Sequence, residues 1–381
     1  MIDILFCMAG IALGLILGLI PGLHINNFMP AFALLSLTNP QTFFLVIGMS
    51  MSFVFSSSFP SILLGVPNED TALNILPGHR LVLEGEAYSA IIVSLLSGFL
   101  VVIFTAPFLL LFLKFLPLFY PAIQELVPYL LIALLFFMFI SDKKRAIIVI
   151  IISSALGLLT ISYNLLLPLL TGFFGMSTLI FSLSNRTEVP PQVMRFKPKN
   201  SLASLSMVSF MSCFLSSIFG FIPAISSSIV SIIGSYIRKL DSEEFLALTS
   251  GTNVAYMSYS FFALLLIQKT RSGSAVLLSQ IFEQESIFFV LGIILLSSAI
   301  AFLACMRLAK SIVRLYSRLN YRKLCLFSIS FMVMINFVFA GFFGLLVLAT
   351  ATSIGLLANL LGTRRTSCMA CLIVPTIAVL L

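Results

Sequence analysis

Long apolar runs constrain this chain more than any other feature of its sequence. Runs of mostly apolar residues recur along its whole length, and a helix of about eighteen residues or more crosses the ~30 Å hydrocarbon core of a bilayer. Only 9% of the 381 residues are charged, whereas soluble domains carry roughly 25%. The sequence therefore predicts an all-α polytopic protein of the cell membrane, embedded in the lipid bilayer. The runs are continuous, which excludes the short alternating segments of a β-barrel.

Proline-containing breaks interrupt the pattern of full-length spans at two places. The shorter apolar pieces that follow these breaks, 22–38 and 224–237, are expected to be half-helices or re-entrant segments. Full spans are predicted near 2–20, 43–66, 89–113, 120–140, 146–162, 164–184, 201–222, 245–267, 286–306, 324–340, 343–361 and 366–381.

The net charge of +8 comes from lysine and arginine gathered in short loops. Basic loops lie on the cytoplasmic side of membrane proteins, so we expect 142–145, 186–199 and 307–323 to be cytoplasmic. This placement of basic residues accounts for the positive net charge, so we expect no nucleic-acid partner. The last of these loops has apolar residues at helical spacing, so it is either an amphipathic surface helix or a solvated linker.

Enzyme chemistry has little support in the sequence. The chain has only two histidines, and its Cys-x-x-Cys pair at 368–371 has no second pair, so neither a metal site nor a cofactor is expected. There is no P-loop, which excludes ATP as the energy source within this chain. A serine–histidine pair through His24 stays open, but no nucleophile motif supports it.

An internal repeat is visible at a constant offset of 202 residues. Residues 18–22 read GLIPG and residues 220–224 read GFIPA, and Ser58-Phe59 is matched by Ser260-Phe261. Two matched blocks predict two related halves, 1–200 and 201–381. Counting spans back from the basic loops places the loop at 67–88 inside and the loop at 268–285 outside. The halves are therefore predicted to be inverted repeats, the plan of many secondary transporters; one misjudged span would make them parallel.

Polar side chains directly follow the broken helices in both halves. Because freed backbone groups are tolerated in a membrane only within protein or beside a watery cavity, these residues are candidates for substrate or ion binding, and the two segments are expected to face each other near the midplane. The alternative is a proline-kinked helix with small packing residues. The candidates are Gly22, His24, Asn26 and Asn27 after Pro21, and Ser226, Ser227 and Ser228 after Pro223.

A second group of candidates lies in and beside the loops that follow later spans. A Thr-Asn pair within a membrane span is costly and therefore indicates either function or hydrogen bonding between helices. The loop at 65–86 offers neutral polar groups beside its acids. The candidates are Pro67, Asn68 and Thr71 in the first half, and Thr252, Asn253, Thr270, Arg271, Ser272 and Ser274 in the second.

These motifs resemble those of the TctA-like permease family, the large membrane subunit of tripartite tricarboxylate transporters. The family's GLxPGLG pattern is matched by residues 18–23, its S-x-x-x-I-L-x-x-x-P segment by 58–67, and its T-A…G-x-A-x-x-A segment by 71–90. The chain departs from the pattern because His24 and Asn68 replace glycines and the second-half Pro-Gly is absent. These departures indicate a divergent, archaeal-type branch.

The resemblance implies a cation-coupled secondary transporter, or permease, of small organic anions such as carboxylates, coupled to sodium or to protons by symport. It also implies two partners, a small membrane subunit and a soluble binding protein. The alternative function is a membrane protein of the same fold that handles lipids or acts in assembly without transporting a solute.

Overall fold

Helices make up most of the backbone in the part of the chain that the structure describes. This structure is a computed structural model, and it describes residues 2–20, 25, 39–65, 71–141, 145–160, 163, 165–184, 190–221, 226–281, 286–317, 321–363 and 365–381. No strand occurs in those ranges. Six helices in them are long and apolar enough to cross a membrane, and other apolar helices there have 10–17 residues. The prediction of an all-α polytopic membrane protein is confirmed.

The first 200 residues form a series of helices that ends before an extended segment. They are α1 (Ile2–Leu19), α2 (Asn39–Ser56), α3 (Ser58–Leu64), a 3₁₀ helix (Ala72–Asn74), α4 (Ile75–Leu83), α5 (Ala87–Ser141), α6 (Ala146–Thr160), α7 (Leu166–Leu170), a π-helical turn (Thr171–Met176) and α8 (Ser177–Ser184).

The rest of the chain begins with a helix of the same length as α1. Its elements are α9 (Leu202–Phe219), α10 (Ser227–Ile237), α11 (Ser242–Ile267), α12 (Gly273–Ile281), α13 (Ile287–Ser317), α14 (Tyr321–Leu360), a 3₁₀ helix (Arg365–Met369) and α15 (Ala370–Leu380). The gap between α9 and α10 contains Pro223, at the break that the sequence predicted.

Three of the predicted span boundaries need correction. The helix α5 continues through 114–119, where one span was expected to end and the next to begin; a proline inside a membrane helix costs a hydrogen bond and bends the helix without having to end it. The helix α14 also covers two predicted spans, but it is kinked between them at Gly341, whose φ is 61°. The predicted span at 164–184 is divided by the π-helical turn.

Small residues set the distance between the first two long helices. Gly10, Gly14 and Gly18 lie four residues apart and form one face of α1. A Cβ atom on any of them would collide with the backbone of α2 or with one of its serine hydroxyls. The Ser56 hydroxyl crosses this narrow interface and donates to the Gly14 carbonyl over 3.2 Å. Such close approach is the usual basis of helix association in lipid.

Several helices before residue 200 resemble helices after it in length and order. The helices α1 and α9 each have 18 residues, and α4 and α12 each have nine. The α2–α3 segment, 39–64, corresponds to α11, 242–267, and both end at a left-handed residue, Gly65 or Gln268. Helices from each part of the chain pack on a helix of the other part. The helices α4 and α5 pack on α11, and the helices α12 and α13 pack on α2. The succession and the exchanged packing support a duplication of one ancestral unit.

The extended segment between the halves is tied to the turn that joins α4 and α5. The Val193 amide donates to the Gly85 carbonyl over 2.8 Å, and Gln192 bonds to both ends of the turn through Val82 and Ala87. Lys199 pairs with Glu84, and this hydrogen bond lowers the pKa of the Glu84 carboxyl. Two segments that the charge pattern assigned to the cytoplasmic side are thus in contact.

We expect the substitution Gly14→Ala to lower the midpoint of thermal unfolding in detergent. The added methyl group would meet the Met49 carbonyl and the Ser52 hydroxyl, and overpacking of this kind costs about 1–3 kcal/mol. The matched control is Gly292→Ala in α13, where a Cβ would have no neighbour within 4 Å. An equal midpoint for the two variants would show that the glycine face of α1 does not determine stability.

Candidate functional site

Buried hydroxyl groups join α5, α9 and α11 at the centre of the molecule. The Ser94 hydroxyl donates to Ser250 over 2.8 Å, and the Ser97 hydroxyl donates to the Ala247 carbonyl over 2.6 Å. Ser209, on α9, donates in turn to Ser97 over 2.9 Å. Gly251 allows this approach, since a Cβ there would lie 2.9 Å from both Ser97 and Ser212. The three helices are therefore held in one fixed register beside α2.

A small cavity lies where segments from before and after residue 200 meet. It leaves about 10 Å³ for the centre of a water-sized sphere, roughly the room that one water molecule needs. We call it the central cavity. Its lining consists of Val54, Phe55 and Ser58 from α2–α3, Thr71 and Asn74 from the segment before α4, Ser94 and Leu95 from α5, and Ser250, Asn253 and Val254 from α11.

The Asn74 amide is the unusual feature of this cavity. The side chain is only 1% exposed, yet neither its amide oxygen nor its amide nitrogen has a hydrogen-bond partner among the described residues. A buried polar group without a partner costs about 1–3 kcal/mol. The Asn74 amide therefore has hydrogen-bonding capacity left for an occupant of the cavity, such as the one water molecule that the cavity can hold.

Two of the hydroxyls in the cavity wall have already used their protons. Ser58 donates to the Phe55 carbonyl over 2.8 Å, and Ser94 donates to Ser250. Each hydroxyl has one proton and two lone pairs, so these groups offer only lone pairs to whatever occupies the space. The chain turns at Ser57 between α2 and α3, and this turn brings Ser58 to the wall. The described lining contains no charged side chain.

The structure brings two of the predicted site residues together, Thr71 from the first half and Asn253 from the second. Both are buried in the wall of the central cavity. Thr252 is directed elsewhere: its hydroxyl bonds to Ser231 of α10 over 2.6 Å. The two residues of the Thr-Asn pair therefore have different roles. Thr252 joins α11 to α10, and Asn253 lines the cavity.

The candidates in the second-half loop do not reach this cavity. Thr270 is exposed, and the Arg271 carbonyl accepts a hydrogen bond from the Tyr256 hydroxyl over 3.2 Å. Ser272 caps the start of α12 through the Ala275 amide and bonds to Ser260. Ser274 accepts a hydrogen bond from Ser50 over 2.7 Å.

The candidates at the broken helices are described only in the second half. Ser226 caps α10 by accepting from the Ile229 amide. Ser227 and Ser228 are buried, and their hydroxyls have no partner among the described residues, but neither lines the central cavity. The remaining candidates lie outside the described residues, so the predicted facing of the two breaks stays a prediction. They are Gly22, His24, Asn26, Asn27, Pro67 and Asn68.

Sequence reasoning missed Asn74, Ser94 and Ser250. Asn74 follows the candidate Thr71 by three residues and ends the 3₁₀ helix, which puts both on the same side of a tight turn. Ser250 is adjacent to the Gly251-Thr252-Asn253 motif. Ser94 is an isolated hydroxyl in an apolar span and had no distinguishing signal in the sequence, because it becomes part of the site only when α5 packs on α11.

Comparisons with known proteins give one family and one relative. The sequence model described as the tripartite tricarboxylate transporter TctA family matches residues 4–370. The chain is similar to the uncharacterized protein MJ1079 of Methanocaldococcus jannaschii, with 30% identity over 398 aligned positions that cover 99% of this chain and 98% of that protein. This relative is consistent with the archaeal-type branch expected from the motifs. No solved structure matches the chain.

We expect Asn74→Leu to raise the midpoint of thermal unfolding, because it removes a buried amide whose missing partners cost about 1–3 kcal/mol. The control is Ser50→Ala, which should lower the midpoint by removing the hydrogen bond to the buried Ser274 hydroxyl. If Asn74→Leu lowers the midpoint as far as the control does, the role of Asn74 is to stabilise the fold and not to bind an occupant of the cavity.

Proposed function

Because this chain belongs to the tripartite tricarboxylate transporter TctA family, it is a multi-pass component of a membrane transporter, and we propose that it is the permease for small organic anions such as carboxylates, driven by a coupled cation. We also propose that it is not an enzyme. Within the described residues, no three His, Cys, Asp or Glu side chains form a group that would hold a metal ion.

The central cavity is the observation that carries this proposal. It joins segments from both halves, it is lined by neutral polar groups, and it contains a buried amide without a partner. Sites of secondary transporters lie between related halves in this way. The cavity is too small for a carboxylate, so the described conformation is closed, and solute would enter when α11 and α5 separate from α2–α3 on one side.

We propose further that the two halves are inverted. The corresponding helices α5 and α13 contact each other in opposite directions: Phe99 stacks on Phe302 at 4.5 Å, whereas the earlier Tyr88 lies under the later Lys310 at 5.7 Å. The starts of the two helices therefore point to opposite ends of this contact. Equivalent elements of inverted repeats run in this manner.

The family description supports a tripartite system with other subunits. We propose that the partners of this chain are a small membrane subunit and a soluble binding protein that delivers the anion. Transport by the purified chain should therefore be measured both alone and together with the two subunits, if neighbouring genes encode proteins of these types.

One observation favours the alternative of lipid handling. An apolar groove on the surface lies between α5 and α10, and its lining consists of the kind of side chains that contact an acyl chain. Its lining includes Leu131, Leu134, Phe219, Ile233 and Tyr236. A protein that moved lipids would use this groove and would not need the polar central cavity.

Uptake into proteoliposomes tests the function. We expect radiolabelled di- or tricarboxylate to accumulate when a sodium or proton gradient is imposed, and we expect Asn253→Ala to abolish accumulation because it removes an amide from the cavity wall. The control is Ser328→Ala on α14, whose buried hydroxyl has no partner among the described residues.

Movement of fluorescent phospholipid between leaflets should be measured in the same vesicles. The lipid function would be supported, and anion transport rejected, if lipid moves but no carboxylate is taken up. In that case Asn253→Ala should leave lipid movement unchanged, and Ile233→Trp in the groove should reduce it.

Labelling with a membrane-impermeant maleimide tests the inverted arrangement. Lys199 and Lys269 are both exposed, while the native cysteines are all buried. We expect Lys199→Cys to react only from the cytoplasmic side and Lys269→Cys only from the outside. Reaction of both from the same side would show that the halves are parallel.

A further inference from the structure

The whole net charge of the chain comes from its last quarter. Residues 286–381 hold eight of the 21 basic residues and none of the 13 acids, so they account for the entire net charge of +8. Six of these eight basic residues lie within 307–323. The sequence left this stretch open as an amphipathic surface helix or a solvated linker. The structure shows instead that residues 307–317 continue the membrane helix α13.

The length of α13 places the first of these charges at the surface of the bilayer. Residues 287–306 carry no charge, and about 20 apolar residues cross the hydrocarbon core. Arg307 therefore lies where the hydrocarbon ends. Lys310 and Arg314 follow about 5 and 10 Å farther along the helix, since each residue rises by about 1.5 Å. The headgroup layer on one side of a bilayer is roughly 5–8 Å thick, so the charges lie in this layer and at its outer edge.

Three basic side chains share one exposed face of α13. Arg307, Lys310 and Arg314 are spaced three and four residues apart, which places them on the same side of a helix, and all three are exposed. The other side of this part of α13 packs within the protein, because Ala309 and Val313 are fully buried. We call the surface formed by the three basic side chains the basic face.

No carboxylate neutralises the basic face in the part of the chain that the structure describes. The ion pairs found there involve Glu84 and Glu244, and neither pairs with a residue of α13. Lys310 lies over the Tyr88 ring, 5.7 Å from its centre, a contact that leaves its positive charge in place. The basic face is therefore available to an anion.

The contact with Tyr88 also indicates the side of the membrane. The next residue, Ser89, accepts a hydrogen bond from the Lys197 amide over 3.2 Å. Lys197 belongs to the basic loop 186–199, so two segments that the charge pattern assigned to the cytoplasmic side lie close to the same turn of α5. The cytoplasmic leaflet contains anionic lipids, which attract basic residues next to a membrane helix.

Exposed leucines favour a lipid over an acidic protein as the partner of the basic face. Leu308 and Leu315 are 40% and 63% exposed, and each directly follows one of the arginines. At the depth of the headgroups, apolar side chains contact the upper acyl chains while long basic side chains extend to the phosphates. An acidic soluble protein would not reach Arg307 at the edge of the hydrocarbon.

We infer that the basic face is a binding site for the phosphate groups of anionic phospholipids in the cytoplasmic leaflet. The guanidinium groups of Arg307 and Arg314 match a phosphate group through paired hydrogen bonds, and Lys310 adds a third positive charge. This site is distinct from the central cavity and does not depend on the transported solute. It also differs from the apolar groove between α5 and α10, whose lining carries no charged side chain.

Native mass spectrometry of the purified protein tests the inference. The protein is mixed with equal amounts of phosphatidylglycerol and phosphatidylcholine that have the same acyl chains. We expect phosphatidylglycerol to be bound in excess. The double substitution Arg307→Gln and Arg314→Gln should lower this preference by about tenfold, which corresponds to about 1.4 kcal/mol. Lysine at both positions should restore most of it. The matched control is Lys269→Gln, which removes an exposed charge from the loop expected on the opposite side.

Equal binding of the two lipids by the unsubstituted protein would overturn the inference, as would a preference that the double substitution leaves unchanged. A preference that survives the double substitution but is lost in Ile233→Trp would place the lipid in the apolar groove instead. Excess inorganic phosphate should leave the bound lipid in place; its displacement would show a site for the free anion and not for a lipid. Gel filtration verifies that each variant is folded. Carboxylate uptake enters none of these outcomes, so the proposed function is tested separately.

Discussion

The structure depends on the absence of water from the interior of the bilayer. A hydroxyl or amide buried there must find its partner within the protein, and most of the buried serines described here do so by donating to a carbonyl three or four residues earlier or to another serine across a helix interface. Ser52 and Ser94 illustrate the two solutions. This requirement makes the Asn74 amide informative, because in such an environment an unpartnered polar group costs about 1–3 kcal/mol. The Asn74 amide and a few hydroxyls, such as those of Ser227 and Ser228, have no partner among the described residues.

Glycines make these short polar contacts possible. The glycine face of α1 brings its backbone against α2, Gly251 brings α11 against α5 and α9, and a Cβ at Gly98 would meet both Val254 and Phe55 of the cavity wall. Close backbone approach lets short serine side chains reach across helix interfaces, which longer residues would prevent. The helices around the central cavity therefore pack closely, with little space between their backbones.

The serine contacts at the start of α12 and the wall of the central cavity differ in their hydrogen-bond chemistry. A serine pair satisfies itself, because each hydroxyl is both a donor and an acceptor. An asparagine brings two donors and an acceptor to a space where neighbouring serines have already used their protons, so it cannot be satisfied by those neighbours alone.

The sequence by itself determined the membrane class, the helical architecture, the break before α10 and the family, because apolar length and proline act locally along the chain. It also identified Thr71 and Asn253, since polar residues beside a break or within a span are costly wherever they lie. Only the tertiary structure decided that these two share one cavity with Asn74, Ser94 and Ser250, and that Ser272 and Ser274 close a different contact. Which polar groups find partners depends on how α2, α5 and α11 pack together, and that packing joins residues nearly 200 positions apart.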